Sequence, residues 1–109
     1  MASSNLFTPA TQATVSITSA NTTANVALGA TKGTFNQVRI KNIDATNIAY
    51  INFGNSSVAA TLPSGATAGS IPIGAGETAG FTVPSSTTHV AVICSAGTPI
   101  VYITPGNGT

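Results

Sequence analysis

Gln37-Val38-Arg39-Ile40-Lys41-Asn42 is the stretch on which the fold turns. Val38 and Ile40 fall on one side of an extended chain and Arg39 and Lys41 on the other, the period of two that a half-buried strand requires. Ala49-Tyr50-Ile51-Asn52-Phe53 repeats the alternation, with Ile51 and Phe53 expected inward and Tyr50 and Asn52 outward. Between the two, Asn42 to Asn47 reads as a turn, because Asn and Asp side chains satisfy nearby backbone groups, and the pair is expected to form a hairpin. Further on, His89-Val90-Ala91-Val92-Ile93-Cys94 is apolar on both faces after its first residue. A strand covered on both sides, by a second sheet or by a neighbouring chain, has this composition. Ser95 to Pro99 turns the chain and Ile100-Val101-Tyr102-Ile103-Thr104 returns as an expected second hairpin, stopped by Pro105-Gly106.

Outward from these stretches the same texture continues. About eight short strands are expected, centred near Ile17, Val26, Arg39, Ile51, Ile71, Phe81, Val92 and Tyr102, with Gly, Pro, Asn, Ser and Thr between them. Apolar positions at helical spacing do not recur over any useful length. The fold class is therefore all-β, an antiparallel sandwich or barrel. A chain of 109 residues is the size of one domain, assigned to residues 14–109. Residues 1–13, with Leu6, Phe7 and Pro9 and no period, read as an extended N-terminal arm. Leu6 and Phe7 are candidate anchors on an adjacent subunit; simple terminal disorder is the competing reading. Gly54 to Gly69 is a long connection for so small a domain, expected to be functional or to cross between sheets.

Charge is the most unusual property. Only 5% of residues are Asp, Glu, Lys or Arg, against about 25% in an ordinary soluble domain. Lys32, Arg39, Lys41, Asp44 and Glu77 are the whole set, with a net charge of +1. Ser, Thr, Asn and Gln must supply most of the polar surface, and a weakly charged surface favours association over dispersal. The opening residues Met1 to Phe7 lack the basic and apolar regions of a secretory signal, so the expectation is synthesis in a cytoplasm, or processing ahead of Met1. The longest apolar run, Val90 to Cys94, is far short of the roughly 18 residues that span a bilayer, and no membrane partner is expected.

The groups that catalysis needs are scarce. Asp44 lies in a turn and Glu77 just before a strand, and nothing in the sequence brings them together as a hydrolytic pair. His89 and Cys94 are five apart on one expected strand, so they point to opposite faces and form no local dyad. One His and one Cys do not make a four-ligand zinc site. Gly74-Ala75-Gly76-Glu77 lacks the rest of a phosphate-loop pattern. No enzyme activity, catalytic residue, cofactor or metal is expected. Three basic side chains neutralise about three phosphates at most, so direct nucleic-acid binding is not expected either. Arg39 and Lys41 suit contact with an acidic patch on a protein partner, or an ordinary solvated strand face.

From Phe35 onward the chain resembles the small β-sandwich virion proteins of tailed bacteriophages, especially capsid decoration (cement) proteins. The likeness is carried by Val38 to Asn42, Tyr50 to Gly54, Ile73 to Glu77 leading to Phe81-Thr82-Val83-Pro84, Thr88 to Ile93, and Ile100 to Gly106. It implies a jelly-roll-like sandwich and a homodimer or homotrimer that binds the major capsid protein and stabilises the shell. It also implies a place on the capsid surface of the virion after synthesis in the host cytoplasm. The residues expected at protein contacts are Leu6, Phe7, Pro9, Arg39 and Lys41. An alternative from another class is a carbohydrate- or receptor-binding module of a phage tail or fibre, with its site on the Gly54–Gly69 loop. Sugar sites want aromatic platforms, however, and the chain has no Trp.

Overall fold

The structure, a computed structural model, describes residues 7–108. Among the described residues nine strands form: β1 (Phe7–Pro9), β2 (Val15–Thr18), β3 (Ala24–Ala27), β4 (Gln37–Asn42), β5 (Ala49–Gly54), β6 (Ile71–Ile73), β7 (Thr78–Thr82), β8 (His89–Ile93) and β9 (Ile100–Gly108). One sheet runs β9-β4-β7, with β1 and β2 both paired to the free edge of β9; the other runs β3-β8-β5-β6. Every pairing is antiparallel. Taking β2 to β9 as the eight strands, this order is that of a jelly roll, two sheets wound from Greek keys. The expected all-β, antiparallel, jelly-roll-like sandwich is the observed fold.

The two expected hairpins are not hairpins. β4 pairs with β7 and β9, and β5 pairs with β6 and β8, so the Ile43–Ile48 turn carries the chain from one sheet to the other. The connection from β8 to β9 makes the same crossing. Both connections are six-residue stretches without the Asn-Gly or Asp-Gly pair that closes a two-residue hairpin. Their turn chemistry reverses direction without requiring the flanking strands to bond each other. Alternation places a residue on a face; it does not name the neighbouring strand.

Inner faces from both sheets meet in one core. Val38 and Ile40 of β4, Val101 and Ile103 of β9, Ile51 of β5 and Val90 and Val92 of β8 are all fully buried. Phe53 points inward as expected but is only partly buried, its ring 5.5 Å from that of Phe81 at the sandwich margin. Asn42 continues the buried side of β4 and is itself buried. Its Nδ2 donates to Asn47 O at 2.9 Å and Ile73 O at 3.0 Å, and its Oδ1 accepts from Asp44 N at 3.0 Å. One amide thus ties β4 to β6 of the opposite sheet.

β8 is covered on both sides, and the second cover comes from its own chain. Ala91 and Ile93 face away from the main core and pack with Ala60, Val58, Leu62 and Tyr50. The Gly54–Gly69 stretch joins two strands of the same sheet, so it does not cross between sheets; it lies over the outer side of the sheet it leaves. Asn25 Nδ2 donates to Ser56 O and Val58 O, Asn52 Nδ2 to Ala59 O, and Thr23 Oγ1 accepts from Ala60 N at 2.7 Å. From Phe7 the extended N-terminal segment is also laid on the sheet, because β9 is nine residues long and β2 covers only its first part. Leu6 and the residues before it lie outside the described residues.

Replacing Ile103 by Ala removes a fully buried side chain from the centre of this core. Equilibrium unfolding should show a loss of about 2–5 kcal/mol. A change under about 0.5 kcal/mol, the range of ordinary surface substitutions, would place Ile103 outside the core.

Candidate functional site

β9 and β4 present their polar sides outward, and their register fixes who meets whom. Thr104 stands opposite Arg39, and Tyr102 opposite Lys41. β7 continues the rows with Gly80 opposite Arg39 and Thr78 opposite Lys41. On the far side Ser16 of β2 lies opposite Tyr102, and Thr14 Oγ1 is 2.8 Å from Thr104 Oγ1. A shallow groove of about 290 Å³ runs across these rows, bounded by Phe7, Thr14, Arg39, Lys41, Thr78, Tyr102 and Thr104.

One glycine fixes a close approach beside the groove, and a second lies next to the Arg39 stem. Gly106 is buried beneath the Phe7 side chain: a Cβ there would stand 2.6 Å from the Phe7 ring and 2.5 Å from Thr8 O. Phe7 therefore lies flat against β9. Arg39 Cζ sits over the Phe7 ring, 4.5 Å from its centroid, within the range of a cation–π contact. At Gly80 the missing side chain leaves room beside the Arg39 stem, 3.8 Å from where a Cβ would be. Lys41 Nζ reaches Gly76 O at 3.4 Å and Thr78 Oγ1 at 3.5 Å, both long contacts.

Of the expected contact residues, the structure brings Phe7, Arg39 and Lys41 together. Pro9 is exposed on β1 opposite Gly106 and does not line the groove, and Leu6 lies outside the described residues. Tyr102, Thr104, Thr14 and Thr78 are members that sequence reasoning did not single out. For Tyr102 the signal was present, since it alternates with buried Val101 and Ile103 and is 44% exposed. What was missing was the pairing of β9 with β4, which puts Tyr102 beside Lys41.

The carboxylates lie elsewhere. Asp44 Oδ2 accepts from Asn47 N at 2.7 Å and Thr46 N at 3.1 Å, and the Thr46 and Asn47 amides hold its pKa below the ordinary 3.8. Glu77 Oε1 accepts from Gly74 N at 2.6 Å across a turn in which Gly76 takes φ +73°, a conformation that suits glycine. Glu77 is exposed in this turn, and its backbone O accepts from Asn42 N at 3.0 Å. His89 Nδ1 is 2.8 Å from Thr88 Oγ1, and buried Cys94 has its Sγ 3.4 Å from Gly97 O. Among the described residues no three His, Cys, Asp or Glu side chains gather as a metal site would require.

At one rim of the same sheet Ile43 and Ile100 are exposed, with Ile43 N donating to Ile100 O at 3.1 Å, and Ile48 is exposed where the crossing turn enters β5 of the other sheet. The apolar border therefore adjoins the groove-bearing face through β9. On the other sheet the loop covers the outer side of β8 and packs against Tyr50 of β5, while β3 and β6 remain exposed at the edges.

No protein-family model matches the chain, and no curated protein matches it. Among solved structures, the chain is similar to a protein of the Bacillus endospore appendages, described as a novel family of disulfide-linked pili. The TM-score is 0.50 at 17% identity, over 99% of this chain and 96% of that one. At this identity the likeness is one of fold.

Gly106→Ala should lift β1 from β9, since the new methyl meets backbone as well as the Phe7 ring. Hydrogen exchange at Ala10 N, which donates to Pro105 O at 2.9 Å, should accelerate while exchange at Ile40 and Ile103 stays slow. Unchanged exchange at Ala10 would contradict the packing of Phe7. A second expectation concerns pH. Because the folded pKa of Asp44 is depressed, its stabilising contribution is present above the ordinary carboxylate range and is lost as pH falls through the lower folded value. The thermal midpoint of wild type should exceed that of Asp44→Asn at neutral pH, and the gap should close below about pH 4.

Proposed function

We propose that this protein is a structural subunit, a capsid decoration protein of a tailed bacteriophage that attaches to a shell through the outer face of its five-stranded sheet. The observation that carries the reading is the contrast between the two outer faces. On one sheet the outer side of β8 is covered by the chain's own loop through Val58, Ala60 and Leu62, with Ile71 left 40% exposed on the β6 edge. The other exposes Tyr102 and Ile100 and a groove floored by apolar surface, with Phe7 and Arg39 held in place. Exposed aromatic and arginine side chains are what protein interfaces select for at their centres. The resemblance from Phe35 onward to decoration proteins supplies the shell as partner. The pilus-like neighbour, a building block of an appendage, is compatible with a structural role outside a cell or particle core.

Self-association into a homodimer or homotrimer belongs to the same proposal, with Ile43, Ile48 and Ile100 as its apolar border. Any such assembly is noncovalent in a run of subunits, because linking each subunit to two others by disulfides needs two cysteines, and the sequence has Cys94 alone, buried. The non-enzymatic reading is supported by what the reactive groups already do. Asp44 and Glu77 close turns, and Cys94 is enclosed. No observation favours the carbohydrate-binding alternative, since the apolar side chains of the loop it relied on are taken up in covering β8.

Sedimentation of purified capsids with added protein tests the proposal. Wild type should co-sediment at a saturating, fixed copy number, and Tyr102→Ala should lower the affinity about ten-fold or more without altering the unfolding midpoint by much. Absence from the pellet, or equal binding by Tyr102→Ala, would remove the sheet face as the attachment surface.

A further inference from the structure

We infer that the groove on the five-stranded sheet recognises a carboxylate side chain, Asp or Glu, presented by another protein chain. The inference rests on the contact-surface reading above and names the chemistry of the partner. Two of the three basic residues of the chain, Arg39 and Lys41, stand on adjacent outward positions of β4. Neither acidic side chain lines the groove or forms an ion pair with them among the described residues: Glu77 is exposed in the turn before β7, where its Oε1 accepts from Gly74 N, and Asp44 is bound to the amides of its own turn. The groove is therefore lined by cations and by no carboxylate.

The way each cation is held points the same way. The Phe7 ring lies against one side of the Arg39 guanidinium, 4.5 Å from Cζ to the ring centroid, and the Arg39 stem runs beside Gly80. A guanidinium covered by a ring keeps its in-plane N–H donors for a planar, two-oxygen acceptor, which a carboxylate is. Lys41 Nζ is engaged only by long contacts to Gly76 O and Thr78 Oγ1, so it is positioned without being neutralised. Thr104, opposite Arg39, and Tyr102, opposite Lys41, put two hydroxyls beside the cations to serve the remaining lone pairs. Burying an interfacial carboxylate is favourable when its lone pairs are met in this way, and costly when they are not. A second copy of the chain could offer only Asp44 and Glu77 as side-chain sources of that carboxylate, each with one oxygen already accepting from backbone amides of its own turn.

The test is an amide-resolved NMR titration of the intact protein with three probes: a short peptide alternating glutamate and serine, the same peptide with glutamine for glutamate, and oligogalacturonate. The glutamate peptide should shift Arg39, Lys41, Tyr102 and Thr104 saturably, and the glutamine peptide should not. Arg39→Gln and Lys41→Gln should each weaken the interaction about ten-fold, Arg39→Lys should recover part of it, and Lys32→Gln should leave it unchanged. Equal shifts from the glutamine peptide, shifts centred on Lys32, or tighter binding of the sugar acid would overturn the inference. Capsid attachment separates the two proposals. If capsids fail to bind while the glutamate peptide does, the shell reading falls and the carboxylate site stands. If capsids bind wild type and Arg39→Gln equally well, the carboxylate site falls alone.

Discussion

Ile40 and Ile103 stand directly opposite each other on β4 and β9, both fully buried, and the rest of the molecule is arranged around that pair. A strand alternates sides with every residue, so a one-residue slip between β4 and β9 would drive Arg39 and Lys41 toward the apolar core. The desolvation cost of two unpaired cations there would exceed anything so small a core returns. Register is thus fixed by what must not be buried as much as by what is. The same constraint sets Thr104 beside Arg39 and Tyr102 beside Lys41, so the surface is a direct product of core packing.

Scarcity of charge shapes the rest of the design. With five charged side chains, the chain makes its polar connections with amides and hydroxyls. Asn42 bridges the sheets from a fully buried position, and Ser19, also buried, donates its hydroxyl to Pro99 O at 2.6 Å. Such bonds add modestly to stability but cost heavily if one partner is removed inside a core. They do not weaken with salt as surface ion pairs do. The two acids serve as turn closures, and neither lines the groove that Arg39 and Lys41 border.

How much of this is legible in the sequence depends on what kind of question is asked. Which side a residue faces is a local matter, and alternation answers it for Val38 to Asn42 and for Val101 to Ile103. The double burial of β8 is legible too, although the cover on its second face is a loop whose Val58, Ala60 and Leu62 show no period. Which strand sits beside which is a long-range matter. The turns at Ile43–Ile48 and Cys94–Pro99 look the same whether they close a hairpin or cross between sheets, and here they cross. For the same reason Arg39 and Lys41 are legible as candidates, whereas their neighbours Tyr102 and Thr104 are not, being more than sixty residues away in sequence. Phe7 is legible as a contact residue, but its contact is with Arg39 of its own chain.

The loop laid over β8 also sets a limit on growth. A body with two open faces can be stacked without end, each copy offering a fresh surface to the next. Here the loop closes one of them with Val58, Ala60 and Leu62. For a subunit attached by its open face as proposed, the covered β8 side would be the one turned outward. Coverage of a support would then stop at a single layer, its thickness decided by the subunit itself and not by its supply.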